Sequence, residues 1–135
     1  MTRKGIVLLG MVLLSVLCSY AGVKDMEQIK RGMLSLNTVS LVQVKQYIYT
    51  QLPNGSWTDI NYQDDDRSAW MPERHGRRLL EMAIVYKDKS TTYYHDKNLS
   101  SQIHRGMKYW DDEGFVCPNW WYNEIGTPRV IGLLI

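Results

Sequence analysis

The side chains best suited to chemistry sit together in Pro118-Asn119-Trp120-Trp121-Tyr122-Asn123-Glu124-Ile125-Gly126-Thr127-Pro128. Two adjacent tryptophans and a tyrosine lie between two prolines, beside one carboxylate and two side-chain amides. Consecutive side chains point about 100° apart on a helix and to opposite faces on a strand, so Trp120 and Trp121 cannot share one core pocket on a regular backbone. One of the two rings is therefore expected at the surface. An exposed indole offers a broad, rigid apolar face with one N–H donor, which suits stacking on the CH-rich face of a sugar or on another planar group. The competing assignment packs Trp120 inward and leaves Trp121 or Tyr122 to cap a helix junction.

The other chemistry-bearing residues read as structural. His75 falls on the apolar stripe of its helix, which predicts a hydrogen-bonded core histidine rather than a base or ligand. His95 and His104 lie off the apolar stripes and have no partner spaced like a zinc site. Asp64-Asp65-Asp66 offers oxygens to a hard cation, but it lacks the alternating ligands and the glycine of a calcium loop. It reads as a solvated acidic turn or helix start, partly neutralised by Arg67. No metal and no cofactor is assigned. Arg74, Arg77 and Arg78 could meet an acidic polysaccharide, with a solvated face as the default. Cys117 reads as a small buried hydrophobe beside Pro118.

The elements that position these residues are helical. Met26, Ile29, Met33, Leu36, Val44, Ile48 and Leu52 follow helical spacing from Lys24 to Leu52, as one long helix or a pair interrupted at Asn37-Thr38-Val39-Ser40. Pro53-Asn54-Gly55 ends that element. Ser56 to Met71 is expected to be an ordered loop. A second helix starts at Pro72, with Met71, His75, Leu79, Met82 and Tyr86 on one face. Another follows, capped by Asn98, with Leu99, Ile103, Met107 and Trp110 on its stripe and Asp111-Asp112-Glu113-Gly114 stopping it. Thr127-Pro128 predicts a new helix start, carrying Val130, Ile131, Leu133, Leu134 and Ile135. An apolar run without a C-cap at the end of the chain predicts truncation in mid-helix.

Composition bounds the compartment and the partners. Arg3 and Lys4 precede an uncharged apolar run from Ile6 to Leu17, and Ser19 and Ala21 supply small residues at the spacing of a cleavage site. Residues 1–21 therefore read as a secretory signal peptide, which predicts a secreted or periplasmic protein with no stable membrane span. Lipidation of Cys18 is the lesser reading, because bulky Leu17 precedes it. Removing Arg3 and Lys4 from the 16 basic residues leaves 14, matching the 14 acidic ones. A neutral mature chain argues against a nucleic-acid partner.

The stretch from Asn119 to Pro128 resembles the Asn-Trp-Trp…Glu-Ile-Gly-x-Pro signature in the amino-terminal α-helical domain of polysaccharide lyase family 8. The resemblance extends upstream through Asn61-Tyr62-Gln63-Asp64, Arg67-Ser68-Ala69-Trp70, His75-Gly76-Arg77-Arg78-Leu79, Met82-Ala83, Tyr86, Ser90, Tyr93-Tyr94 and Tyr109-Trp110, covering nearly everything after Trp57. It implies an all-α fold, an incomplete α/α toroid of about four helices over residues 22–135. It implies a front fragment of a lyase that cleaves uronic-acid-containing polysaccharides by β-elimination, with the catalytic Asn, His, Tyr and Arg on later helices and none here. It implies that Asn119, Trp120 and Trp121 bind the substrate, an acidic, glycosaminoglycan-like polysaccharide, and that the rest of the lyase chain is a partner. The alternative is a free-standing carbohydrate-binding or structural helical module without catalysis.

Overall fold

A computed structural model of the chain describes residues 24–32 and 39–134. The chain divides into two compact units, Met1–Asn37 and Thr38–Ile135. In the first, residues 24–32 are helical (α1), with Met26 and Ile29 exposed. The apolar run and Cys18, which carry the signal-peptide and lipidation readings, lie outside the described residues.

The second unit holds α2 (Leu41–Thr50), α3 (Glu73–Lys87), α4 (Lys97–Glu113), a π-helical turn (Tyr122–Gly126) and α5 (Thr127–Leu134). Every regular element among the described residues is helical, as expected. Helix α3 is central and packs against α2, α4 and α5. The core joins Val44 of α2, Trp57 and Ile60 of the following loop, Leu79, Met82 and Val85 of α3, and Leu99 and Ile103 of α4. Burying each such side chain contributes about 1.5–3 kcal/mol.

The interruption expected before α2 falls at Ser40, whose hydroxyl accepts the Gln43 N–H at 3.5 Å. Leu52 N–H donates to the Ser56 carbonyl and Gly55 N–H to the Leu52 carbonyl, each at 2.9 Å, closing the Pro53-Asn54-Gly55 turn. Gly55 has φ +96°, and a Cβ there would collide with the backbone carbonyl of Arg105.

The segment between α2 and α3 is an ordered loop pinned by its tryptophans. Trp57 Nε1 donates to the Tyr47 carbonyl and Trp70 Nε1 to the Asp64 carbonyl, both at 3.0 Å. The acidic run is not neutralised by Arg67: the Asp64 and Asp66 carboxylates are met by N–H and O–H donors and Asp65 is exposed. Asp66 accepts Ser68 N–H, Ser68 Oγ–H and Ala69 N–H, and Asp64 accepts Met71 N–H at 2.7 Å. Those donors hold the Asp66 carboxyl below its usual range.

Helix α3 buries His75, Leu79 and Met82 fully, as their spacing predicts. Its arginines divide. Arg77 pairs with Glu73 one turn away at 2.8 Å. Arg78 does not lie on a solvated face: its guanidinium holds Asp59 through two bonds of 2.9 and 2.6 Å and lies over the rings of Tyr47 and Trp57. The bidentate match and the two aromatic faces outweigh its hydration.

The cap of α4 is Asp96, not Asn98, which lies inside the helix. Asp96 Oδ1 accepts Leu99 N–H at 2.7 Å, and its charge complements the positive helix end. The preceding His95 has φ +53°, which turns the chain into that cap. At the other end Asp111, Asp112 and Glu113 remain helical, with Lys108 Nζ bonded to Asp112 at 2.8 Å, and Gly114 alone stops the helix at φ +60°.

Candidate functional site

The tryptophan stretch builds its own helix start. Asn119 is the cap: its Oδ1 accepts Trp121 N–H at 3.0 Å, and its carbonyl accepts Tyr122 N–H at 3.2 Å. The helix then runs through residues 120–134 without a break. A fresh start at Thr127-Pro128 is thus overturned, since Thr127 is helical at φ −65° and ψ −49° and its N–H reaches back to the Tyr122 carbonyl. Pro128 lacks the N–H of a regular turn and its ring would crowd the carbonyl four residues earlier. The wide turn over Tyr122–Gly126 accommodates it inside the helix.

Both indoles are exposed, Trp120 at 64% and Trp121 at 40% of their full surface. The inward packing of Trp120 is therefore not what the chain adopts. The Trp121 ring lies over Gly126, where a Cβ would come within 2.7 Å of its six-membered ring. Its edge meets Tyr122 at 5.3 Å between centroids, and Tyr122 leans on buried Trp70 at 5.7 Å.

Three contacts fasten this helix start to the loop before α3. Asn119 Nδ2 donates to the Arg67 carbonyl at 2.7 Å, and Tyr122 O–H donates to the Ser68 carbonyl at 3.0 Å. The Cys117 thiol points at the Asp66 carbonyl, 4.0 Å away. Asn123 closes the other side, accepting Cys117 N–H at 2.9 Å and donating to its carbonyl at 2.8 Å. Asn119 is therefore a cap and a strut, with both ends of its amide engaged, while Trp120 and Trp121 carry the open ring faces. Sequence reasoning named Asn119, Trp120 and Trp121 but not Asn123, Tyr122, Arg67 and Ser68 as supports. The one available signal was the amide pair at i and i+4.

Behind the platform, Trp70 meets Trp110 at 6.0 Å and Trp110 meets His75 at 5.6 Å. His75 Nε2 lies 2.9 Å from the Gly106 carbonyl and Nδ1 lies 2.9 Å from Tyr62 Oη. A carbonyl only accepts, so Nε2 carries the hydrogen and Nδ1 accepts from Tyr62 O–H. The Tyr62 oxygen in turn accepts Trp57 N–H at 3.1 Å. Burial, aided by the charge of Arg78, pushes His75 down to about 4, and burial pushes Tyr62 up to about 12. His75 is the satisfied core histidine its spacing predicts. Among the described residues no group of three or more His, Cys, Asp or Glu is disposed to hold a metal. No described helix is long and apolar enough to cross a membrane.

The chain belongs to polysaccharide lyase family 8: residues 13–135 match the family's N-terminal α-helical domain. It is similar to chondroitinase-AC of Pedobacter heparinus, with 38% identity over 86 residues, which are 64% of this chain and 12% of that protein. A chondroitinase AC lyase whose oligosaccharide complexes have been solved superposes with a TM-score of 0.65 and 36% identity, covering 67% of this chain and 14% of the other. The chain thus spans about an eighth of the length of these relatives.

Proposed function

We propose that this chain is the amino-terminal part of an exported polysaccharide lyase and supplies an aromatic section of its sugar-binding cleft through Trp120 and Trp121, with Asn119 positioning them. The substrate class is a uronic-acid-containing polysaccharide such as chondroitin or hyaluronan. The observation that carries this reading is the exposure of two adjacent indoles at 64% and 40% on a helix start braced by Asn119, Tyr122 and Asn123, within a family 8 domain. Exposing two large aromatic faces costs stability unless a partner uses them.

β-Elimination needs a carboxylate neutralised, a base to take the adjacent proton and an acid to protonate the leaving oxygen. His75, the most buried histidine, has both ring nitrogens bonded within the core, so we assign that chemistry to a segment outside this chain. What remains here is stacking, worth about 1–3 kcal/mol per ring by analogy with bases on aromatic platforms. Two such contacts support dissociation constants of roughly millimolar order.

The test is a nuclear magnetic resonance titration of the chain with chondroitin oligosaccharides, following the indole N–H signals. The Trp120 and Trp121 signals should move, while those of Trp57 and Trp70, bonded to backbone carbonyls, stay fixed. Trp120→Ala and Trp121→Ala should each weaken binding about fivefold or more. Affinity unchanged in both variants would remove the platform from the site, and release of unsaturated uronate by this chain alone would overturn the division of labour. A second reading, a free-standing carbohydrate-binding module, draws on the self-contained core of the Thr38–Ile135 unit. It predicts the same binding but no gain of turnover when the remainder of a lyase is supplied.

A further inference from the structure

The platform sits in an acidic setting. The two segments that the three contacts join, residues 64–71 and 117–126, carry Asp64, Asp65, Asp66 and Glu124 against one cation, Arg67. Asp64 and Asp66 are engaged by loop donors, but Asp65 and Glu124 are exposed. A polyanion lying on the indoles would meet like charge. Only one group in either segment can answer it.

Resting on the sugar-platform reading above, we propose that Arg67 reads the negative charge of a sugar stacked on Trp120 and Trp121, making it the specificity-determining residue of the platform. Its backbone is fixed beside the helix start, because its carbonyl accepts Asn119 Nδ2 at 2.7 Å and the carbonyl of the next residue accepts Tyr122 O–H at 3.0 Å. Its side chain is exposed and forms no ion pair among the described residues. Two arginines of α3 are already committed, Arg77 to Glu73 and Arg78 to Asp59 and the faces of two rings, while exposed Arg74 lies on α3, outside the two joined segments. Arg67 keeps its five donors for a ligand, and a planar guanidinium matches a carboxylate or sulfate ester with two parallel bonds. With the Arg67 backbone fixed against the helix start that carries the indoles and its head in no ion pair among the described residues, stacking sets where the sugar lies and the guanidinium sets which sugar it is.

The test uses the full chain and three oligosaccharides of equal length: unsulfated chondroitin, the same chain with its carboxylates reduced to alcohols, and a sulfated chondroitin. Affinities are read for the wild type, Arg67→Gln, Arg67→Lys and Trp121→Ala. Because Arg67 holds Asn119 through its carbonyl, side-chain replacement leaves that strut in place. The wild type should bind the unsulfated acid about threefold to tenfold tighter than its reduced form, with the margin shrinking as salt rises. Arg67→Gln should abolish the margin without changing affinity for the reduced sugar, and Arg67→Lys should retain part of it. A margin seen only with the sulfated sugar and lost in Arg67→Gln also supports the proposal, with sulfate as the anion read. An undiminished margin in Arg67→Gln, or no margin in the wild type, overturns it while the platform stands, provided Trp121→Ala still loses affinity. If Trp121→Ala binds every sugar as the wild type does, the platform itself falls and Arg67's role with it.

Discussion

The chain of bonds from the Gly106 carbonyl through His75 and Tyr62 to Trp57 N–H ties α4, α3 and the loop together at a single imidazole. His75 ionises near 4 when folded, against 6.5 as an ordinary value. Between those values the unfolded chain takes up the proton and the folded chain does not. Stability contributed by neutral His75 is therefore intact above about 6.5, falls as pH drops toward about 4, and levels off below it. The full span corresponds to roughly 3 kcal/mol. Urea midpoints measured at pH 7, 5 and 4 should show this fall, and His75→Phe should flatten it while lowering stability at pH 7 by about 2–4 kcal/mol. Tyr62 acts at the other extreme: its folded value near 12 means that stability is lost as pH rises from about 10 toward 12. The burial of His75 was legible from helical spacing alone. Its partners were not, because Tyr62 and Gly106 lie 13 and 31 residues away and no local pattern links them. Arg78 went the same way, since Asp59, 19 residues earlier, decides that it is packed rather than solvated.

At the scale of elements, two glycines decide whether neighbouring segments can approach. Gly55 combines a left-handed backbone with the Arg105 carbonyl against its α-hydrogen face, so Gly55→Ala should destabilise the fold by about 2–4 kcal/mol, measured as a lowered urea midpoint. Gly126 instead supports a ring. A methyl there would push into the Trp121 indole, so Gly126→Ala should shift Trp121 fluorescence and weaken sugar binding although both indoles remain. The α3 and α4 helices and their stripes were readable, because each depends on residues within a turn or two, while the stop read as Asp111-Asp112-Glu113-Gly114 narrows to Gly114. The α4 cap was misplaced because Asp96 and Asn98 are both competent, and the backbone at His95 chose between them. The wide turn at Tyr122–Gly126 was invisible for a different reason. Thr127-Pro128 has the composition of a helix start, and only the helix already begun at Trp120 shows that it is an interior position.

Across the whole molecule, the core draws on residues from Val39 to Leu134 among those described. A chain beginning at Thr38 should therefore fold cooperatively, with a thermal midpoint within about 5 °C of the full chain, a difference of order 1 kcal/mol. Loss of the cooperative transition would show that Met1–Asn37 contributes to the fold. The family and the all-α class were legible because the Asn119–Pro128 stretch is long and chemically unusual. The roles inside it were harder to read, as the same asparagine can cap a helix and touch a ligand.

The π-helical turn also solves a problem of azimuth. One surplus residue rotates everything beyond it by about 100° relative to a regular helix. On the near side of the turn the rod aims its indoles at solvent, while on the far side it aims Val130 at Gly76 of α3 and Leu134 at the core. A single rod thus works as a crankshaft with two throws, one for the ligand and one for the anchor. Excising that residue would force the chain to surrender one of them.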